Sequence, residues 1–150
     1  KVEKVVNEFG AKEVQGDEIY AVDAEVFAPC ALGAIVNDDT IGRMKFKIIA
    51  GGANNQLLDE EIHGKKLKEK NILYAPDYLI NAGGVTNVFF EVINEYSKDR
   101  VTKKVKNIYN ILMEVYRIAE KENITTAEAA ARLAEKRLNL IRNVHQNYLR

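Results

Sequence analysis

Three segments combine small or amide-bearing residues with the abrupt end of an apolar run. In Ile48-Ile49-Ala50-Gly51-Gly52-Ala53-Asn54-Asn55-Gln56, an aliphatic stretch gives way to two glycines and then to amides. Glycines let a flat ligand approach the backbone closely. The side chain of Asn55 carries both donors and an acceptor, which suits a carboxamide or an amino-acid head group. A loop asparagine capping the next turn fits the same spacing equally well. In Asn81-Ala82-Gly83-Gly84, amides free at a helix start would attract a carboxylate. Without other information, Asn81 reads better as a plain N-cap. Val85 and Val88, one helical turn apart, could line an apolar side-chain slot, although their spacing alone favours ordinary core. The third segment, Val26-Phe27-Ala28-Pro29-Cys30-Ala31, ends in small residues around the one cysteine.

Other chemistries find little support. Cys30 has no histidine near it in sequence, and His63 and His145 lack metal-ligand spacing. Cys30 therefore reads as a small buried or ligand-facing residue rather than a nucleophile. Lys65, Lys66, Lys68 and Lys70 form a charged run of the kind that solvates a helix face. No G-x-G-x-x-G occurs, and no strand ends in an acid placed to hold a ribose.

The elements that would position these residues follow from periodicity. Ala21 to Pro29, Met44 to Ala50 and Ile72 to Ala75 read as buried parallel strands that deliver groups at their carboxyl ends, the last closed by Pro76. In the first, Val22, Ala24, Val26 and Ala28 share one side and Phe27 takes the other. Val2, Val5, Val6 and Phe9 predict an opening amphipathic helix ended by Gly10, so the chain reads as a piece of something longer. A helix is predicted from about Asp59, and another carries Val85, Val88, Phe89 and Val92 at spacings of three and four. A helix from about Asp99 to Glu122 buries Val101, Val105, Ile108, Leu112, Val115 and Ala119, and Asn123 stops it. Thr125-Thr126-Ala127-Glu128 is a capping box, opening a last helix to about Tyr148 with Ala130, Leu133, Ala134, Ile141 and Val144 facing in. Strands first and helices after predict an α/β domain, half of a doubly wound parallel sheet followed by returning helices.

With 22 basic and 22 acidic residues, the chain offers no net charge to attract nucleic acid or an anionic membrane. A single cysteine excludes an intrachain disulfide and fits a reducing, cytoplasmic setting. No apolar run reaches the roughly 18 residues of a membrane span, and Lys1-Val2-Glu3-Lys4 does not read as a signal peptide, since no apolar h-region follows it.

The blocks Val26 to Gly33, Ile49 to Leu57 and Tyr74 to Val85 continue through Lys103-Lys104-Val105 and Ile108-Tyr109 to Ala129-Ala130-Ala131-Arg132-Leu133-Ala134-Glu135. In this order they resemble the C-terminal part of the glutamate/leucine/phenylalanine/valine dehydrogenase family, and most of all its leucine dehydrogenase branch. The resemblance implies the second half of a Rossmann-like sheet in a partial NAD-binding domain. The implied reaction is NAD-dependent oxidative deamination of an L-amino acid to a 2-oxo acid and ammonia, in a homo-oligomer. By resemblance, Ala28, Pro29, Cys30, Ala31 and Asn55 border the cofactor. Asn81 and Gly83 face the substrate head group, while Val85 and Val88 read its side chain. The family's catalytic lysines and aspartate, its separate catalytic domain and its glycine-rich turn have no counterpart in these residues, so the isolated chain is expected to be inactive. Thr86, Phe89 and Phe90 depart from the leucine branch. They leave open a phenylalanine-, tryptophan- or glutamate-type dehydrogenase, and a non-catalytic binding or assembly module that keeps the fold is a further alternative.

Overall fold

The structure is a computed structural model and describes residues 1–148. Its centre is a three-stranded parallel sheet in the order β1-β2-β3, made by β1 (Val26–Phe27), β2 (Ile48–Ile49) and β3 (Leu73–Tyr74). Val26, Ile48 and Leu73 lie side by side in one register row, and Phe27, Ile49 and Tyr74 in the next. The strands are shorter than their apolar runs predict. Upstream of β1, Gly16–Ala21 forms a 3-10 helix that takes the start of the expected strand. Downstream, Pro29 and Pro76 have no N–H to extend the ladder.

Val26 and Phe27 take opposite sides of β1 as expected, and only the Phe27 side is covered. Phe27 is buried with Ile49 and Tyr74, whereas Val26 is 50% exposed and Leu73 40%. The cause is the position of the covering elements. α2 (Asp38–Ile41) and α3 (Glu60–Glu69) are contributed by the connections between strands, and the residues of those connections pack on the Phe27 side. There Phe27 stacks on Phe46 at 4.9 Å between ring centroids, and Val36, Ile41, Met44, Leu57 and Leu67 complete the core.

Helix ends follow the local signals. Gly10, with φ 65°, closes α1 (Val2–Phe9) in the left-handed conformation. The Asp59 carboxylate accepts from Ile62 N at 2.8 Å and starts α3. After α4 (Asp77–Ile80) and α5 (Gly83–Val92), the single helix expected from Asp99 to Glu122 is two: α6 (Lys98–Lys106) and α7 (Ile108–Glu122). They meet at Asn107, whose N–H donates to Lys104 O at 3.1 Å, three residues back instead of four. The predicted stripe continues across this break, with Val101, Val115 and Ala119 buried and Val105, Ile108 and Leu112 half-buried.

Asn123, with φ 54°, ends α7. The capping box then forms as expected: Thr125 Oγ1 accepts from Glu128 N at 3.2 Å, and Glu128 Oε2 accepts from Thr125 N at 2.8 Å. It opens α8 (Thr126–Tyr148). A second core joins Val115 and Ala119 of α7 to Ala129, Ala130 and Leu133 of α8. The inward stripe of α8 stops at Leu133, however. Ala134, Ile141 and Val144 are exposed, because the packing of α8 on α7 and α3 engages only its first turns. Likewise α5 buries Phe90 and exposes Val85, Val88, Phe89 and Val92, so the core reading of Val85 and Val88 fails.

Candidate functional site

The carboxyl ends of the three strands meet. Pro29 O, at the tip of β1, accepts from Ala53 N beyond the tip of β2 at 2.9 Å. The approach is so close that a Cβ on Gly51 would lie 2.1 Å from Pro29 O, which accounts for the glycine. Gly52 N donates to Cys30 Sγ at 3.4 Å. Beside it, Ala34 N donates to Asn55 O at 2.7 Å and holds Asn55 in the left-handed region, φ 51°. From beyond β3, Asn81 Nδ2 donates to Asn54 Oδ1 at 2.5 Å. Cys30, Asn55 and Asn81, 51 positions apart from first to last, thus surround one edge of the sheet.

Around that edge Ala28, Cys30, Ala31 and Asn55 are exposed, Pro29 is buried, and Asn81 and Gly83 are half-buried. Asn81 is not the N-cap of the following helix. It closes α4, and Ala82 takes the N-cap position of α5. Val85, 69% exposed, and Val88 project from α5, joined to the cluster along the chain through Gly83. An apolar groove of about 400 Å³ runs beside β1 and ends at Ala28, Pro29, Cys30 and Ala31. Asn55 and Asn81 lie outside its lining. Among the described residues, no cluster of three or more His, Cys, Asp or Glu is arranged to hold a metal.

Two residues that sequence reasoning passed over hold this edge together. Gln56 is fully buried, and its Nε2 donates to Gly51 O at 2.7 Å and to Ala53 O at 2.9 Å. Asp77 is 5% exposed. Its Oδ2 accepts from Gln56 N at 2.8 Å and its Oδ1 from Tyr78 N at 2.6 Å. Asp77 is not legible as such, because an acid just after a proline at a helix start has an ordinary local explanation in the helix dipole. Burial and the neighbouring Asp77 carboxylate raise the pKa of Glu60, with a smaller opposing effect from its hydrogen bond with Tyr78. The Tyr78 hydroxyl is pushed up to about 12, first by burial and then by Glu60 and Asp77. The edge therefore presents amides, backbone and a thiol to a ligand, with its phenols protonated at neutral pH.

Exposed Asn55 offers amide donors and an acceptor at this edge, and the small residues Ala28, Cys30 and Ala31 follow the tip of β1. Residues 1–145 match the family model of glutamate/leucine/phenylalanine/valine dehydrogenases. The chain belongs to this family of amino-acid dehydrogenases. It is 51% identical over 147 residues to the leucine dehydrogenase of Thermoactinomyces intermedius, covering 98% of this chain and 40% of that protein. It is also 51% identical over 125 residues to the phenylalanine dehydrogenase of Caldalkalibacillus thermarum, covering 83% and 33%. The crystal structure of L-tryptophan dehydrogenase from Nostoc punctiforme superposes with a TM-score of 0.90 at 48% identity, covering 94% of this chain and 42% of that one. The chain thus spans about 40% of the length of the leucine dehydrogenase it matches. Its mixed α/β fold with a small parallel sheet matches that of the amino-acid dehydrogenases.

Proposed function

We propose that the chain is part of the NAD-binding domain of an L-amino-acid dehydrogenase acting on a branched aliphatic substrate such as leucine. In this reading its sheet is the second half of a Rossmann-like doubly wound sheet, and the acid–base residues and the glycine-rich turn belong to other parts of the enzyme. The observation that carries it is the convergence of three strand tips around an exposed amide, Asn55, at the carboxyl edge of a parallel sheet. Ligands of open α/β sheets bind at that edge.

Bound NAD would accept a hydride from the alpha carbon of the amino acid, leaving an imine that hydrolyses to the 2-oxo acid and ammonia. The contribution of this chain is orientation. Ala28, Pro29, Cys30 and Ala31 border the nicotinamide end, and Asn55 binds its carboxamide. Asn81 and the amides at Gly83 hold the substrate head group, and Val85 and Val88 shape the slot for its side chain. The lone cysteine suits a cytoplasmic enzyme. No described helix is long and apolar enough to cross a membrane. The exposed Leu138, Leu140 and Ile141 of α8 suit a homo-oligomer contact.

A second reading, an aromatic-substrate dehydrogenase, is favoured by Phe89, 56% exposed one position after Val88, and by equal identity to a phenylalanine dehydrogenase. The test is NADH formation by the full-length enzyme with leucine, valine, phenylalanine, tryptophan and glutamate. Highest kcat/KM on leucine or valine is expected. Preference for phenylalanine or tryptophan replaces the first reading with the second, and no coenzyme reduction by any of the five overturns both.

A further inference from the structure

We propose that Asp77 is a positioning residue of this crevice, setting the Asn54–Asn55 turn from beneath. The inference rests on the functional reading above.

The turn is tied on both sides of Asn55 by one short helix. Asn81, at the end of α4, holds Asn54 through the side-chain bond already described. Asp77, at the start of α4, holds Gln56 through its carboxylate, a bond spanning 21 positions of chain. The two anchors are themselves locked, since Asn81 N donates to Asp77 O at 2.9 Å. Asp77 N in turn donates to the Tyr74 hydroxyl at 3.3 Å, which fixes the start of α4 to β3.

Gln56 carries the constraint inward. Its Nε2 clips Gly51 O and Ala53 O, so the whole turn from Gly51 to Asn55 hangs on a residue that the Asp77 carboxylate fixes. Gln56 Oε1 is buried and has no partner among the described residues, so the amide is held there through donation. Asn55 takes the left-handed region, which asparagine adopts as a single residue, and the ties on either side of it set its orientation. Asp77 is too deeply buried to meet a ligand and acts through this turn.

Asp77→Asn keeps the size of the side chain and removes one of two carboxylate acceptors. An NH2 would then face the N–H of Gln56 or of Tyr78. In the full-length enzyme we expect kcat to fall by about 10–100-fold through misplacement of the nicotinamide, with a higher KM for NAD. We also expect a larger primary isotope effect with the α-deuterated amino acid, because hydride transfer becomes the slower step. A purely structural role would lower only the active fraction, leaving KM and the isotope effect at their wild-type values, and that result overturns the proposal. Asp77→Ser, too short to reach Gln56, should repeat the Asn phenotype, and wild-type kinetics in it overturn the proposal equally. If neither variant folds, hydrogen exchange in the wild type decides: slow exchange of the Gln56 amide supports the tie, and exchange as fast as in exposed loops refutes it. A wild type that reduces no coenzyme overturns the dehydrogenase reading instead, a failure seen before any variant is made.

Discussion

Replacing Gly51 by alanine separates close backbone packing from the properties of glycines in general. The new Cβ would meet Pro29 O at 2.1 Å, Pro29 N at 2.4 Å and Pro29 Cδ at 2.5 Å. These atoms belong to backbone and a rigid ring, so no rotamer change relieves them. The tips of β1 and β2 must separate by about 1 Å. Overpacking of this kind costs about 1–3 kcal/mol. The bond from Ala53 N to Pro29 O, 2.9 Å in the native turn, cannot survive that separation and is worth about 1 kcal/mol more. A total near 3 kcal/mol lowers the melting temperature of a domain this size by about 6–12 °C. Gly52 is the matched control. Its Cβ would meet only Cys30 Sγ at 3.8 Å, an ordinary contact, and its φ is not left-handed. Gly52→Ala should be neutral, or stabilising by about 0.4–1 kcal/mol through the unfolded chain. Thermal unfolding followed by circular dichroism compares the two directly. Equal melting temperatures would show that the strand tips are not in the contact on which the crevice is built.

Thr125→Ala removes one half of the capping box and should cost about 1 kcal/mol in urea unfolding at pH 7. The Glu128 carboxyl is held below its usual value of 4.5, chiefly by the bond from Thr125 N. A lowered folded pKa stabilises above the unfolded value and is lost as pH falls through the folded one. The stability difference between wild type and Glu128→Ala should therefore be full at pH 7 and shrink below about pH 4.5. A difference that stays constant down to pH 3 would exclude the charge-assisted bond. Ile49, fully buried on the central strand, should lose about 2–5 kcal/mol as alanine, measured as a lower urea midpoint at unchanged slope; a loss under about 1 kcal/mol would place it outside the core.

Much of this was readable in the sequence because helix ends are set by local chemistry. Gly10, Asp59, Asn123 and the Thr125–Glu128 pair each act within four residues, and each stands where its type predicts. The family, too, was legible in the three motif blocks. What periodicity could not tell was whether a face is covered. Val85, Val88, Ile141 and Val144 share helical faces as predicted, yet coverage depends on elements far away in sequence, and these faces are open. Strand lengths failed for a related reason, since pairing requires a partner in register as well as an apolar run. The role of Asp77 is not legible because a buried carboxylate is defined by its partner, and the Gln56 N–H it accepts from lies 21 positions away.

The residues of the proposed site also divide the work of binding from the work of holding. A side chain that offers an amide to a ligand must reach solvent, but a ligand is oriented only if that amide keeps its angle. Asn55 meets the two demands with different atoms: its side chain is exposed, while its carbonyl accepts from Ala34 N and its left-handed backbone is flanked by the Asn54 and Gln56 ties. The same division recurs along the chain. Pro29 is buried against Gly51 while its neighbours Ala28 and Cys30 are exposed. The orientation of an exposed turn is thus set by buried groups beneath it. This explains why the fully buried polar residue Gln56 sits directly beside the most exposed amides of the crevice.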